Sequence, residues 1–198
     1  MHEDQLLLPA ADCEVSFQHH SLGAPALIWP YYDDDTNLLG FICRFDTPKG
    51  KEILPRTLWS TARCPDGEWL WRGWPAPRPL FRLDMLAAYP NAIVIVCEGE
   101  KAVCAAQEML PLPDFVCITS PGGSNAAHKA CWSSVSGRKV YIWPDNDEAG
   151  RKYAQVVAEL LVKQNSVRIM LPPADREPGW DAVDMLAEAI RKGRKNVR

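Results

Sequence analysis

Residues 139–154 read KVYIWPDNDEAGRKYA, an apolar run that closes on two carboxylates and passes at once into a helical pattern. Asp145 and Asp147 stand one residue apart. In an extended segment side chains at i and i+2 share a face, so the two carboxylates are expected to point together. Like charges held together oppose each other's ionisation unless a cation lies between them. The same residues also suit a helix cap at Asp147 and a turn at Asp145, since Asp favours both places. Beyond the pair, Tyr153, Val156, Val157, Leu160 and Leu161 recur at helical spacing. Arg151, Lys152, Glu159 and Lys163 fall largely on other faces, which predicts a helix from about Glu148.

The surrounding pattern is regular from about residue 91. NAIVIVCEGE reads as a buried strand, KAVCAAQEML as a helix and DFVCITS as a second strand, followed by the amphipathic run NAAHKACWSSV, then KVYIW, the helix above, SVRIML and DAVDMLAEAIRK. Apolar runs alternating with amphipathic ones predict strands joined by helical crossovers, hence an α/β domain with a mainly parallel sheet covered on both faces. Before residue 85 aromatic and β-branched residues are punctuated by turn signals instead. LIWPYYDDDTNLLGFICRFDT predicts a hairpin turning at DDDTN, and KGKEILPRTLW a further strand after the PKG turn. WLWRGWPAPRPLF is too rich in proline for a regular helix and reads as a connector. Trp29, Trp59, Trp69, Trp71 and Trp74 all lie in this first part, where they suit a small lobe's core better than base stacking. The expected organisation is a small, mostly β lobe over residues 1–85, an α/β domain over 91–190 and a basic tail over 191–198, which could touch phosphates.

With 198 residues, 47% hydrophobic and 24% charged, the chain can bury a sizeable core. Its net charge of -3 means that any nucleic-acid contact must come from local patches. Seven cysteines without a CxxC or CxxH pair argue against a zinc ribbon. Their odd number, with no secretory start, fits a reducing cytoplasm. No apolar run approaches a membrane span.

In a parallel sheet, ligands gather beyond the carboxyl ends of the strands. IVIVCEGEK puts Glu98 and Glu100 at one such end, and KVYIWPDND puts Asp145 and Asp147 at another. If these strands are neighbours, Glu98 faces the aspartates across one cleft. Three hard oxygen donors suit Mg²⁺ or Mn²⁺, which keep waters and accept phosphate oxygens as further ligands. Gly99 allows a sharp turn after Glu98, and Lys101 can counter the acids or meet a phosphate. Arg151 and Lys152 add cations at the start of the following helix. SPGGSNAA, with Gly122 and Gly123, can turn backbone amides toward a phosphate, or serve as a plain glycine turn. Asp181 and Asp184 in DAVDMLAEA suit either a helix cap or a late acidic motif.

VIVCEGEKA followed roughly fifty residues later by VYIWPDNDEAGRKYA resembles the Toprim domain shared by bacterial primases, type IA and II topoisomerases and OLD-type nucleases. The likeness is strongest to the Toprim primases and primase-helicases of phages, plasmids and integrated elements. Their EGEKAAD, PGG loop, WPDNDxAG and GWDAAD are matched in order by EGEKAVC, SPGGSN, WPDNDEAG and GWDAVD, over about residues 91–188. GFICRFDTPKGKE and RPLFRLDML resemble the segment that precedes Toprim in these proteins. The resemblance implies a Toprim fold, with Glu98 as general acid or base, Asp145 and Asp147 as the pair that binds divalent metal, and Asp181 beside them. The resemblance also implies Asp184 as a further ligand or support of one, while Glu100 is a candidate for that role from its place at the strand end. Lys101, Arg151, Lys152, Gly122 and Gly123 are, from their own positions, the candidates for contact with nucleic acid or phosphate.

The implied activity is Mg²⁺- or Mn²⁺-dependent nucleotidyl transfer of the primase kind in a mobile element, on nucleotides and a single-stranded DNA template. A replicative helicase or another element-encoded protein is the expected partner. Cys104 stands where the family's EGEKAAD has Asp, and neither a zinc module nor a GxxxxGK[ST] motor motif is present in the sequence. Two other readings share the motifs: a Toprim nuclease cutting or nicking DNA or RNA, and a non-catalytic Toprim protein that binds nucleic acid or a partner protein. A topoisomerase would need a tyrosine nucleophile on a further domain that this length does not supply.

Overall fold

The computed structural model describes residues 3–10, 13–173 and 175–195, apart from the side chains at 124 and 193–195. The first part is an antiparallel lobe. Strands β1 (Gln5–Leu7), β2 (Leu27–Tyr32), β3 (Leu38–Thr47), β4 (Gly50–Ser60) and β5 (Glu68–Leu70) form a sheet in the order β1-β4-β3-β2, with β5 also on β4. The DDDTN turn closes because Asp33 accepts backbone hydrogen bonds from Asp35 and Asn37. The first half of β4 pairs with β3 and its second half with β1 and β5, so the sheet curls around that long strand. The segment expected to be connector alone thus contributes a short strand, β5, before its prolines.

After helix α1 (Leu83–Ala88) the α/β domain follows. Strands β6 (Ile93–Cys97), β7 (Phe115–Ile118), β8 (Lys139–Trp143) and β9 (Ser166–Ile169) are all parallel, in the order β7-β6-β8-β9. The alternate residues Val94, Val96, Val140 and Ile142 pack under α1 and helix α3 (Glu148–Leu161), with Tyr153, Val157 and Leu161. On the other face, Ile95 and Cys97 pack against Val103 and Ala106 of α2 (Glu100–Met109) and Ala182 of α4 (Ala182–Lys195). Helices therefore cover both faces, as the double apolar character of the strands requires.

One crossover departs from expectation. NAAHKACWSSV is not a regular helix but part of a chain of 3₁₀ turns at Gly123–Asn125, Ala127–Lys129 and Ser133–Val135. Gly122 and Gly123 have positive φ, 95° and 63°, and Trp132 donates its indole N–H to the Ala127 carbonyl, which closes the run on itself. The tail expected from residue 191 continues α4 through Lys195, and residues 196–198 lie outside the described residues.

Trp29, Trp59 and Trp74 are buried, as expected of core residues, whereas Trp69 and Trp71 are half-buried. Trp29, Tyr31 and Trp74 of the lobe share a cluster with α2. Across this junction the Tyr31 hydroxyl donates to Glu100 Oε1 at 2.7 Å. All seven cysteines are free thiols. Among the described residues no helix is long and apolar enough to cross a membrane.

Candidate functional site

β6 and β8 are neighbours, and their register pairs Cys97 with Trp143. Glu98 therefore leaves the sheet beside Pro144 and Asp145, at one level of the same edge. Thr119, at the end of β7, donates its hydroxyl hydrogen bond to the Glu98 carbonyl at 3.1 Å and fixes the turn into α2.

The stretch 145–147 is not extended. The Asp147 amide donates to the Asp145 carbonyl at 2.9 Å, and Asp147 Oδ1 accepts from the Gly150 amide at 2.7 Å, capping α3. Asp147 is a helix cap, and it also lies close enough to raise the proton affinities of Glu98 and Asp145. Asn146, between them, donates its side-chain amide to the carbonyls of Arg176 and Glu177 at 2.9 and 3.0 Å. Its backbone exchanges hydrogen bonds with Trp180 and Gly179. Asn146 thereby ties the loop that ends in Asp181 to the acidic turn, a role no sequence pattern announced.

Burial pushes Asp145 up to about 7, with Glu98, Asp181 and Asp147 adding like charge and Lys51 opposing them. Burial also raises Glu98, followed by the charge of Asp147, again against Lys51. Glu98 Oε2 is buried with no hydrogen-bond partner. The structure thus gathers Glu98, Asp145, Asp147 and Asp181. Lys51, on the rim of the β lobe, reaches the acids from the other side of the junction and was not singled out by sequence, because only tertiary packing brings it there.

The remaining candidates divide. Glu100 lines the same cleft, but Tyr31 occupies its Oε1, and burial is the main cause that raises its proton affinity. Asp181 and Asp184 form a reciprocal cap on α4: Asp181 Oδ1 accepts from the Val183 and Asp184 amides, and Asp184 Oδ2 from the Asp181 amide. Asp184 is exposed. Lys101, Gly122 and Gly123 line the cleft; Arg151 and Lys152 are exposed on α3, with Lys152 reaching Asn125 Oδ1 at 3.4 Å. Cys104 is half-buried, and burial is the main cause raising its thiol.

The cleft, about 390 Å³, runs between Trp29, Arg44, Lys51 and Ile53 of the lobe and the acids of the α/β edge. Among the described residues no three His, Cys, Asp or Glu side chains already form a finished metal cage. The donors nevertheless suit a hard divalent cation. An orphaned buried carboxylate oxygen and an aspartate strained by like charges are both relieved by a cation that brings its own waters.

Gly150 sets the turn. A Cβ there would fall on the Asp145 carbonyl oxygen and 2.8 Å from the Asp145 nitrogen, both backbone atoms. Replacing a helical Gly by Ala ordinarily stabilises by about 1 kcal/mol. Here Gly150→Ala is expected to destabilise by about 3 kcal/mol through overpacking. Urea unfolding measures this, and a variant as stable as wild type would show that the helix does not rest on the acidic turn.

Residues 95–186 match the Toprim-like family model. The structure is similar to the primase fragment of the bacteriophage T7 primase-helicase protein, with TM-score 0.55, 18% identity, 86% of this chain and 61% of that one. It is also similar to the DnaG primase catalytic domain bound to ssDNA, with TM-score 0.50, 19% identity, and 85% and 49% of the two chains. This chain thus spans about three fifths and half of those two proteins. A search of the curated proteins finds no match. Residues 95–186 are accordingly a Toprim-like domain, which stands behind an antiparallel β lobe in a fold shared with primase cores.

Proposed function

We propose that this chain is the Mg²⁺- or Mn²⁺-dependent core of a nucleic-acid enzyme, performing nucleotidyl transfer of the primase kind in a phage or other mobile element. The observation that carries this reading is the meeting of Glu98 with Asp145 at adjacent parallel strand ends, facing Lys51 across a cleft. Asp145 and Asp147 would hold the ion, with Asp181 beside them. When bound, it supplies neutralisation of the charge that builds on the phosphoryl oxygens.

The chain's own residues do the rest. Glu98, whose proton affinity burial raises, takes the proton from the attacking hydroxyl at its unpartnered Oε2. Lys51 and Lys101, on opposite walls of the cleft, attract and orient phosphates. Tyr31 fixes the lobe to α2 through Glu100, so that the two walls keep their spacing. A template-reading module and a helicase would be supplied by other polypeptides or domains, and cytoplasmic work follows from the substrates.

The test is incubation with labelled single-stranded DNA, nucleotides and Mg²⁺ or Mn²⁺. Extension of product supports the reading. Shortening of the strand would replace it with nuclease action by the same carboxylates, and binding with neither would leave a non-catalytic Toprim protein.

A further inference from the structure

Arg78 lies in the proline-rich connector between Pro77 and Pro79. Its backbone is clamped on both sides: the Arg78 amide donates to the Lys129 carbonyl at 2.7 Å, and the Cys131 amide donates to the Arg78 carbonyl at 2.8 Å. The side chain is treated differently. Its Nε is buried without an acceptor, and no carboxylate pairs with the guanidinium among the described residues.

Among the described residues Arg56 and Arg176 also bury an Nε without an acceptor, but like the other half-buried arginines each has another partner for its guanidinium. Arg44 meets Asp46, Arg82 meets Gln107, Arg138 meets two backbone carbonyls, Arg176 meets Glu188, and Arg56 lies over Trp71. Arg78 is only half-buried, so its guanidinium, unpaired with any carboxylate and carried on a clamped backbone, stays available to an anion.

The place of Arg78 says which anion. A Cβ on Gly122 would lie 3.1 Å from Arg78 Nη1, so the glycine leaves the guanidinium room against the SPGG loop. On that side of Gly122 a second cleft, about 220 Å³, is lined by Arg78, Trp74, Pro55 and Ile42. It shares Ile53 and Gly122 with the cleft that holds Glu98 and Asp145. An extended polyanion leaving the acids across Gly122 meets Arg78 next, while the apolar wall accepts a base or sugar.

We propose that Arg78 is a phosphate anchor, its planar fork holding a phosphate group that lies across Gly122 from the acidic site. This rests on the nucleic-acid reading above. The phosphate could belong to a strand or to a nucleotide's triphosphate, and the two probes below separate these sources.

Arg78→Ala and Arg78→Lys are compared with wild type for binding of labelled oligothymidylate over a salt series, and of a fluorescent ATP analogue with Mn²⁺. Arg78→Ala is expected to bind one probe about tenfold more weakly. If the strand is the source, the log–log salt slope falls by about 0.7, one phosphate contact fewer. Arg78→Lys should restore that slope but not the full affinity, since Lys is a point charge rather than a fork. Thermal melting of Arg78→Ala at or above wild type would exclude misfolding as the cause. Wild-type affinity for both probes in Arg78→Ala, with an unchanged salt slope, would overturn the anchor alone. Binding of neither probe by the wild type would overturn the nucleic-acid reading and the anchor with it.

Discussion

Glu98→Gln is expected to bind nucleic acid as wild type does and to lose about 10²–10⁴-fold in turnover, the range by which a positioned acid or base accelerates a reaction. The substitution keeps the side chain's shape and its place after β6, where Thr119 holds the Glu98 backbone. What disappears is the ionisable Oε2, which is buried and unpartnered in the protein as it stands. Removing one negative charge also relieves Asp145, whose proton affinity should fall toward the usual carboxylate range. Single-turnover extension beside an equilibrium binding measurement separates the two effects. Turnover within about threefold of wild type would remove Glu98 from the chemistry.

The second large effect is on stability without metal. Asp145 titrates near 7 in the folded chain, against an ordinary value of 3.8. An acid raised in this way stabilises the fold fully below its unfolded value. That contribution is lost as pH climbs through the folded one, because between the two the native state holds a proton that the unfolded chain releases. In chelator, then, stability should decline from about pH 4 to pH 7, with Glu98 adding a slope of the same sign.

The full displacement would be worth about 4 kcal/mol at ~1.4 kcal/mol per pH unit, but Asp145 is only half-buried, and screening reduces this to about 1–2 kcal/mol. Asp145→Asn should therefore melt about 3–6 °C above wild type at pH 8 in chelator and flatten most of the decline. Added Mn²⁺ should raise the melting point of wild type and not that of the variant. A variant that melts well below wild type in chelator would mean that the carboxylate is structural rather than a strained ligand.

The two effects depend on features that were legible to different degrees. Strand and helix periods are local properties: IVIVC and most of KVYIW are apolar on both faces, and such strands alternating with amphipathic helical runs predict a covered parallel sheet. The order of the short motifs, with acids at two strand ends, was enough to expect a Toprim fold and to name Glu98, Asp145 and Asp147. Cap and turn chemistry was legible too, since Asp33, Asp147 and Asp181 each bond the backbone within a few residues.

Tertiary structure decided the rest. Whether 145–147 runs extended or turns depended on α3 packing back on Asp145 through Gly150, a contact that becomes visible only when helix and strand end meet. The NAAHKACWSSV crossover has the composition of an amphipathic helix, but two left-handed glycines before it start a chain of 3₁₀ turns. Glu100 stands with Glu98 at a strand end in the sequence, but that its Oε1 bonds Tyr31 of the other lobe is visible only in the fold. Lys51 comes to the acidic cleft from a hairpin, and Arg78 to the neighbouring cleft from a proline-rich connector. Charge interactions act through space rather than along the chain, so the sequence by itself determined which groups could ionise, and only the packing of the two lobes decided which of them face one another.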